Sequence, residues 1–267
     1  MKKLLWSMLL VSAQVFGATI AVIDSGVDVQ HKDLVNNLWI NSTEIPNNSR
    51  DEDSNGYQDD IYGWNFAEQN NLVIDRKYIG SFSADPYMFF QIQGKMFLNR
   101  ATDAEKKWLD DKRKDPGFAK EMQIFGNFVH GTHVAGITAK NSPDAKVLAV
   151  KLIPTEISPF ILGLKQKTKS VQTDDVRMTL LKAGLAALAS QQMLMLEEIA
   201  AYVSGHKADV ANGSFGTGFN QAKIITNTAF KVLFQREPTK VESDKITSFF
   251  LNTLIVEGKN MVNAAPK

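Results

Sequence analysis

Two short runs combine residue types able to move a proton. Ala21-Val22-Ile23-Asp24-Ser25-Gly26 puts an aspartate where an apolar, β-branched run stops, and His130-Gly131-Thr132-His133-Val134-Ala135-Gly136 sets a histidine at the expected start of a small-residue helix. A histidine acts as a general base when its neutral imidazole is held in one tautomer, and a buried carboxylate at the second ring nitrogen enforces that tautomer. A third run, Asp51 to Asp60, carries oxygen-bearing side chains at alternate positions: Asp51, Asp53 and Asn55, with Gly56 allowing a sharp turn and Asp59 beyond. It opens like the hard-cation loop of an EF-hand, but Tyr62 stands at the twelfth position where a bidentate glutamate belongs, so a true EF-hand is disfavoured. His130 and His133 also have metal-ligand spacing, yet no glutamate follows the first histidine, and His133 lies one turn away with a structural role expected. His31 and His206 read as surface or satisfied core residues, and Asp28 as a solvated loop acid.

The elements that must position these groups follow from apolar periodicity. Thr19–Ile23 reads as a buried strand delivering Asp24 into a loop, followed by a polar loop over residues 41–60. Residues 67–125 form a charged, mixed stretch, with a solvated surface helix across Asp103 to Lys114 broken at Pro116. A second strand is expected over Ala145 to Ile153. A helix over Thr173 to Tyr202 would be capped by Thr173, carry Val176, Leu180, Leu181, Leu185 and Leu188 on one face, and end near a left-handed Gly205. Ala208–Asn212 reads as a further strand and Ser243–Gly258 as a last helix. Alternating strands and helices predict an α/β fold with a mostly parallel sheet, whose carboxyl edge gathers ligands and catalytic groups.

Composition narrows the function classes. Thirty Lys and Arg against 29 Asp and Glu leave a net charge of +1, so nothing in the charge balance points to nucleic acid or an anionic membrane surface. With no cysteine there is no disulfide, thiol nucleophile or cysteine metal site. Lys2 and Lys3, the apolar run from Leu4 to Val15 and the small residues Gly17 and Ala18 together predict a signal peptide over residues 1–17 and a secreted, periplasmic or extracellular protein. Asp24 ends that apolar stretch before it could span a bilayer, and no later segment is long and apolar enough.

The V-I-D-S-G strand end combined with H-G-T-H-V-A-G resembles the two signatures of subtilisin-like serine proteases (subtilases, peptidase S8). The resemblance implies a three-layer fold over residues 18–267, with the 67–125 stretch as an insertion. It assigns Asp24 as the charge-relay carboxylate and His130 as the base of an endopeptidase that hydrolyses polypeptide substrates by acyl transfer. Ser214, Phe215 and Gly216 look like the family's cleft segment, where backbone pairs with an extended peptide and glycine leaves room for it. Asp51 to Phe66 is similar to an acidic loop of many subtilases, implying structural calcium with Asp51, Asp53, Asn55, the Tyr57 carbonyl and Asp59 as ligands.

The family's A-G-N oxyanion asparagine and G-T-S-M-A-like nucleophile segment do not occur in the 267 residues, and Asn260, Asn263 and Ser214 are not in those contexts. The expectation is therefore an inactive fragment, truncated at the C-terminal side of the fold and left with an exposed sheet edge. Two alternatives stay open: a non-catalytic secreted relative that binds extended peptide, and a calcium-binding export module.

Overall fold

The computed structural model describes residues 17–156 and 173–264; most of the expected signal peptide, residues 1–16, lies outside them. Four strands make one parallel sheet: β1 (Thr19–Asp24), β2 (Gly63–Asn65), β3 (Lys146–Lys151) and β4 (Val210–Gly213), in the order β2-β3-β1-β4. The described residues also form six α-helices: α1 (Asp85–Phe97), α2 (Asp103–Lys112), α3 (Pro116–Ala139), α4 (Asp174–Gly205), α5 (Phe219–Phe234) and α6 (Lys240–Ala264). Among the described residues, no helix is long and apolar enough to cross a membrane.

Strand alternation sorts the sheet into two faces. Val22 of β1 with Val147 and Ala149 of β3 packs against Val134, Ala135 and Ala139 of α3. Ala21, Leu148 and Val150 face the other way, onto Ile199, Tyr202 and Val203 of α4. Helix, sheet, helix is the three-layer arrangement expected. Asp24 and Lys151, register partners at the carboxyl ends of β1 and β3, continue the face that meets α3.

Several expectations need correction. The helix carrying His130 begins at Pro116, so the histidine sits in its interior rather than at its start. The cause is local: the Asp115 side chain accepts a hydrogen bond from Gly117 N at 2.8 Å and Pro116 has the φ a first helical position wants. Pro116 therefore opens a helix rather than merely breaking one. The inserted stretch is also more than a solvated helix, because Leu109 of α2 is fully buried and Trp108 packs edge-on against Phe118 of α3. Thr102 and Glu105 close a reciprocal cap at its start.

Thr173 does cap α4, and Leu181 and Leu185 are buried, but Val176 and Leu180 are exposed. The buried stripe instead runs Leu181, Leu185, Ala189 into a core shared with Phe230 and Leu233 of α5 and Ile246 and Phe250 of α6. The helix passes through Gly205, and the left-handed residue is Lys207. β4 forms one edge of the sheet, with Val210 52% exposed.

Two glycines shape the turn after β1 and its contact with α3. Gly26 has φ +117°, and a Cβ there would come within 2.4 Å of the Val73 carbonyl. A Cβ on Gly131 would meet the Gly26 oxygen at 2.2 Å, whereas one on Gly136 would touch nothing within 4 Å. Gly131→Ala is expected to lose about 2 kcal/mol or more through forced separation of helix and turn. Gly136→Ala is expected to be neutral or to gain up to about 1 kcal/mol from helix propensity. Urea midpoints of the two variants check the contrast; equal stabilities would remove the close-contact account.

Candidate active site

The turn that leaves β1 meets the middle of α3, and three polar ties bind them. Ser25 Oγ accepts from the Gly131 N–H at 3.1 Å, Asp28 N donates to Thr132 Oγ1 at 2.9 Å, and His130 Nδ1 lies 2.7 Å from Asp24 Oδ1. Residues 130–132 thus supply one contact each: a ring, a bare backbone and a hydroxyl. Asp24 is 0% exposed while the His130 side chain is 48% exposed. A carboxylate only accepts, so the ring nitrogen facing it carries the proton. In the neutral imidazole that leaves Nε2 as the free lone pair, on a ring half open to solvent. The Ser25 N–H also donates to Asp24 Oδ1, at 2.7 Å, and Asp24 Oδ2 has no hydrogen-bond partner among the described residues. This is the arrangement of a general base held by an orienting acid.

Asp28 is less solvated than expected: its carboxylate receives Gln30 N at 3.0 Å and lies 3.3 Å from Arg76 Nη1. His133 is exposed, one turn from His130, and lines a groove between α3, residues 28–37 and the 78–87 stretch.

Ser214, Phe215 and Gly216 follow directly after β4. Ile23 pairs with Gly213, so Ser214 continues from the carboxyl edge of β4 beside Asp24. Ser214 Oγ donates to Asn212 Oδ1 at 2.7 Å, Phe215 and Gly216 are exposed, and a Cβ on Gly216 would meet nothing within 4 Å.

In the acidic loop, the structure brings together only part of the expected ligand set. Asp51 and Asp53 each bring a carboxylate oxygen within 4.8 Å of the other and of Glu44, a residue the spacing argument passed over. Asn55 Oδ1 accepts from Tyr57 N at 2.7 Å, and the two Asp59 oxygens take Asn48 N at 3.2 Å and Ser49 N at 2.9 Å. Desolvation raises the Asp51 carboxyl, but the N–H groups of Gly56 and Asn55 outweigh it and hold the group below the usual carboxylate range. The Tyr57 hydroxyl is pushed up to about 12 by burial and by the Glu198 carboxylate that accepts from it.

Asp60, also unmarked in the sequence, is the buried centre of this region. It accepts from Asn41 Nδ2 at 2.7 Å, Asn55 Nδ2 at 3.1 Å and the Tyr202 hydroxyl at 2.8 Å, and lies 3.2 Å from His206 Nε2. Burial, then the charge of Asp60, pushes the Tyr202 hydroxyl well above the ordinary tyrosine range. His206 is thus a satisfied residue at the end of α4. No sequence signal marked Asp60 out from the other acids of the loop, because its burial depends on partners from distant elements.

The sequence model of the subtilase family matches residues 16–248. Subtilisin-like protease 1 of Plasmodium falciparum (isolate 3D7) is 42% identical over 69 residues, which is 26% of this chain and 10% of that protein. The protein of the same name from Plasmodium vivax is 44% identical over 63 residues, 23% of this chain and 10% of its own length. That of Plasmodium berghei (strain Anka) is 41% identical over 63 residues, with the same two shares. These alignments span about a tenth of the length of the curated relatives. No solved structure matches the chain. With the signature pair joined on an α/β sheet and the family model matched across residues 16–248, the chain belongs to the subtilase family.

Proposed function

We propose that Asp24 and His130 are the acid–base half of a subtilase charge relay, built to hydrolyse peptide bonds by acyl transfer. The observation that carries this reading is the 2.7 Å contact between His130 Nδ1 and a fully buried Asp24 carboxylate. In that chemistry His130 Nε2 takes the proton of a serine hydroxyl as it attacks the scissile carbonyl, then returns it to the leaving amine. Asp24 holds the ring and stabilises the imidazolium formed between the two transfers.

The serine and the oxyanion donor are the parts that residues 1–267 do not present in family context. In subtilisin, the source of these magnitudes, losing the serine costs about a millionfold in turnover, and losing the oxyanion asparagine costs about a hundred- to thousandfold. Residues 1–267 by themselves are therefore proposed to perform no acyl transfer. What it retains is a peptide-binding edge at Ser214, Phe215 and Gly216, where an extended polypeptide would pair with backbone. The basic and apolar start of the chain supports export as part of the same proposal.

Two measurements on the purified chain test this. A fluorophosphonate probe is expected to leave every serine unlabelled; a labelled serine located by mass spectrometry overturns the inactive reading. A fluorescent extended peptide is expected to gain anisotropy with the chain and to lose it with Gly216→Leu. An unchanged anisotropy in the parent chain removes the cleft reading.

We also propose structural calcium at the acidic loop. The three oxygens of Glu44, Asp51 and Asp53 lie close enough together to suit a hard cation, although all three carboxylates, like Asn55 and Asp59, also accept backbone N–H groups. Calcium at a hundredfold excess over its Kd is expected to raise the melting midpoint by about 5 °C relative to chelator. An identical midpoint in calcium and in EDTA removes the proposal.

A further inference from the structure

Lys151 is the side chain whose position the mechanism leaves unexplained. It is 0% exposed at the carboxyl end of β3, where a charged group should not be buried without partners. Its three ammonium hydrogens have three acceptors near them: the Ile153 carbonyl at 3.1 Å, Thr155 Oγ1 at 3.4 Å and Glu68 Oε2 at 3.6 Å. Burial pushes the ammonium below the usual lysine range, against the pull of the Glu68 and Asp75 carboxylates.

The segment this lysine gathers, residues 152–155, bonds to the Asp24 backbone and to α3 one turn before His130. Leu152 N and Ile153 N donate to the backbone carbonyl of Asp24 at 2.7 and 3.2 Å. The carbonyls of Pro154 and Thr155 accept from Asn127 Nδ2 at 3.2 and 3.3 Å, and Asn127 precedes His130 by one turn of α3. The lysine stem passes beside Gly26, where an added Cβ would lie 3.4 Å from Lys151 Cδ. Glu68 is anchored in turn by its own N–H donating to Asn65 Oδ1 at 3.1 Å, and Asn65 Nδ2 reaches the Leu72 carbonyl at 2.9 Å.

We propose that Lys151 is a positioning residue for the Asp24–His130 pair: its buried ammonium locks the 152–155 turn, which fixes Asp24 through its carbonyl and His130 through Asn127. The inference rests on the relay reading above. A lysine supplies three donors at one point, two toward the turn and one toward the Glu68 loop, while its stem lies beside Gly26. A methionine keeps the stem and loses all three.

The test is the tautomer of His130, read from long-range nitrogen–proton NMR spectra of the labelled 267-residue chain. In the parent chain a single tautomer is expected, with a slowly exchanging proton on Nδ1. Lys151→Met is expected to lose that protected proton and to populate both tautomers while the amide spectrum stays dispersed. Asn127→Ala, which cuts only the arm to α3 and serves if Lys151→Met does not fold, is expected to show a smaller loss in the same direction. The protected signal surviving in Asn127→Ala, and in Lys151→Met wherever that variant folds, overturns the role of the lysine alone. Its absence from the parent chain overturns the pair itself, and the lysine's role with it.

Discussion

The constraint on which this site depends is the approach of two backbones, the turn after β1 and the middle of α3. A 2.7 Å contact between a ring nitrogen and a carboxylate requires both main chains to lie nearer than side chains at the contact would permit. Gly131 removes the side chain at that contact, Gly26 lets the turn run against the Val73 carbonyl, and Ser25 and Thr132 accept the N–H groups of Gly131 and Asp28. Packing and polar satisfaction therefore act at one point: the contact is close because nothing intervenes, and directional because each flanking residue is tied. A buried carboxylate is costly without such partners, so the geometry that orients the imidazole also accommodates the acid.

A second buried carboxylate shows the same logic at the opposite face of the sheet. Asp60 draws Asn41, Asn55, Tyr202 and His206 together, joining the acidic loop to the end of α4. α4 itself divides its length between two cores. Leu181, Leu185 and Ala189 pack with α5 and α6, while Ile199, Tyr202 and Val203 pack on the sheet. A 32-residue helix reaches about 48 Å at 1.5 Å per residue, long enough to serve both. Fixing its far end at Asp60 sets the layer behind β1 and, with it, the plane from which Asp24 projects.

The strongest patterns in the sequence were those in which one element's own periodicity or caps decide its form. β1, β3 and α4 belong to this class, because an apolar β-branched run or a capped amphipathic stretch needs no knowledge of its neighbours. Elements that borrow stability were invisible: β2 is three residues long and exists by pairing with β3, and α1 and α5 lack a side-chain cap hydrogen bond at their starts. The exposure of Val176 and Leu180 has the same origin. Periodicity marks a stripe of apolar residues, but only the position of α5 and α6 selects which side of it is covered.

The sequence by itself determined the residue types at the site and the local motifs that carry them: an acid at a strand end, a histidine followed by glycine and threonine, and alternating oxygens in a polar loop. These are short-range facts, written within a few residues. Only the tertiary structure decided that His130 lies inside a helix begun at Pro116, that Glu44 rather than Asp59 joins Asp51 and Asp53, and that Lys151 and Asp60 are buried. Each of those depends on groups distant in the chain meeting in a region from which water is excluded. A hydrogen-bond donor or charge finds its partner there by packing, and no spacing in the sequence encodes which partner it will be.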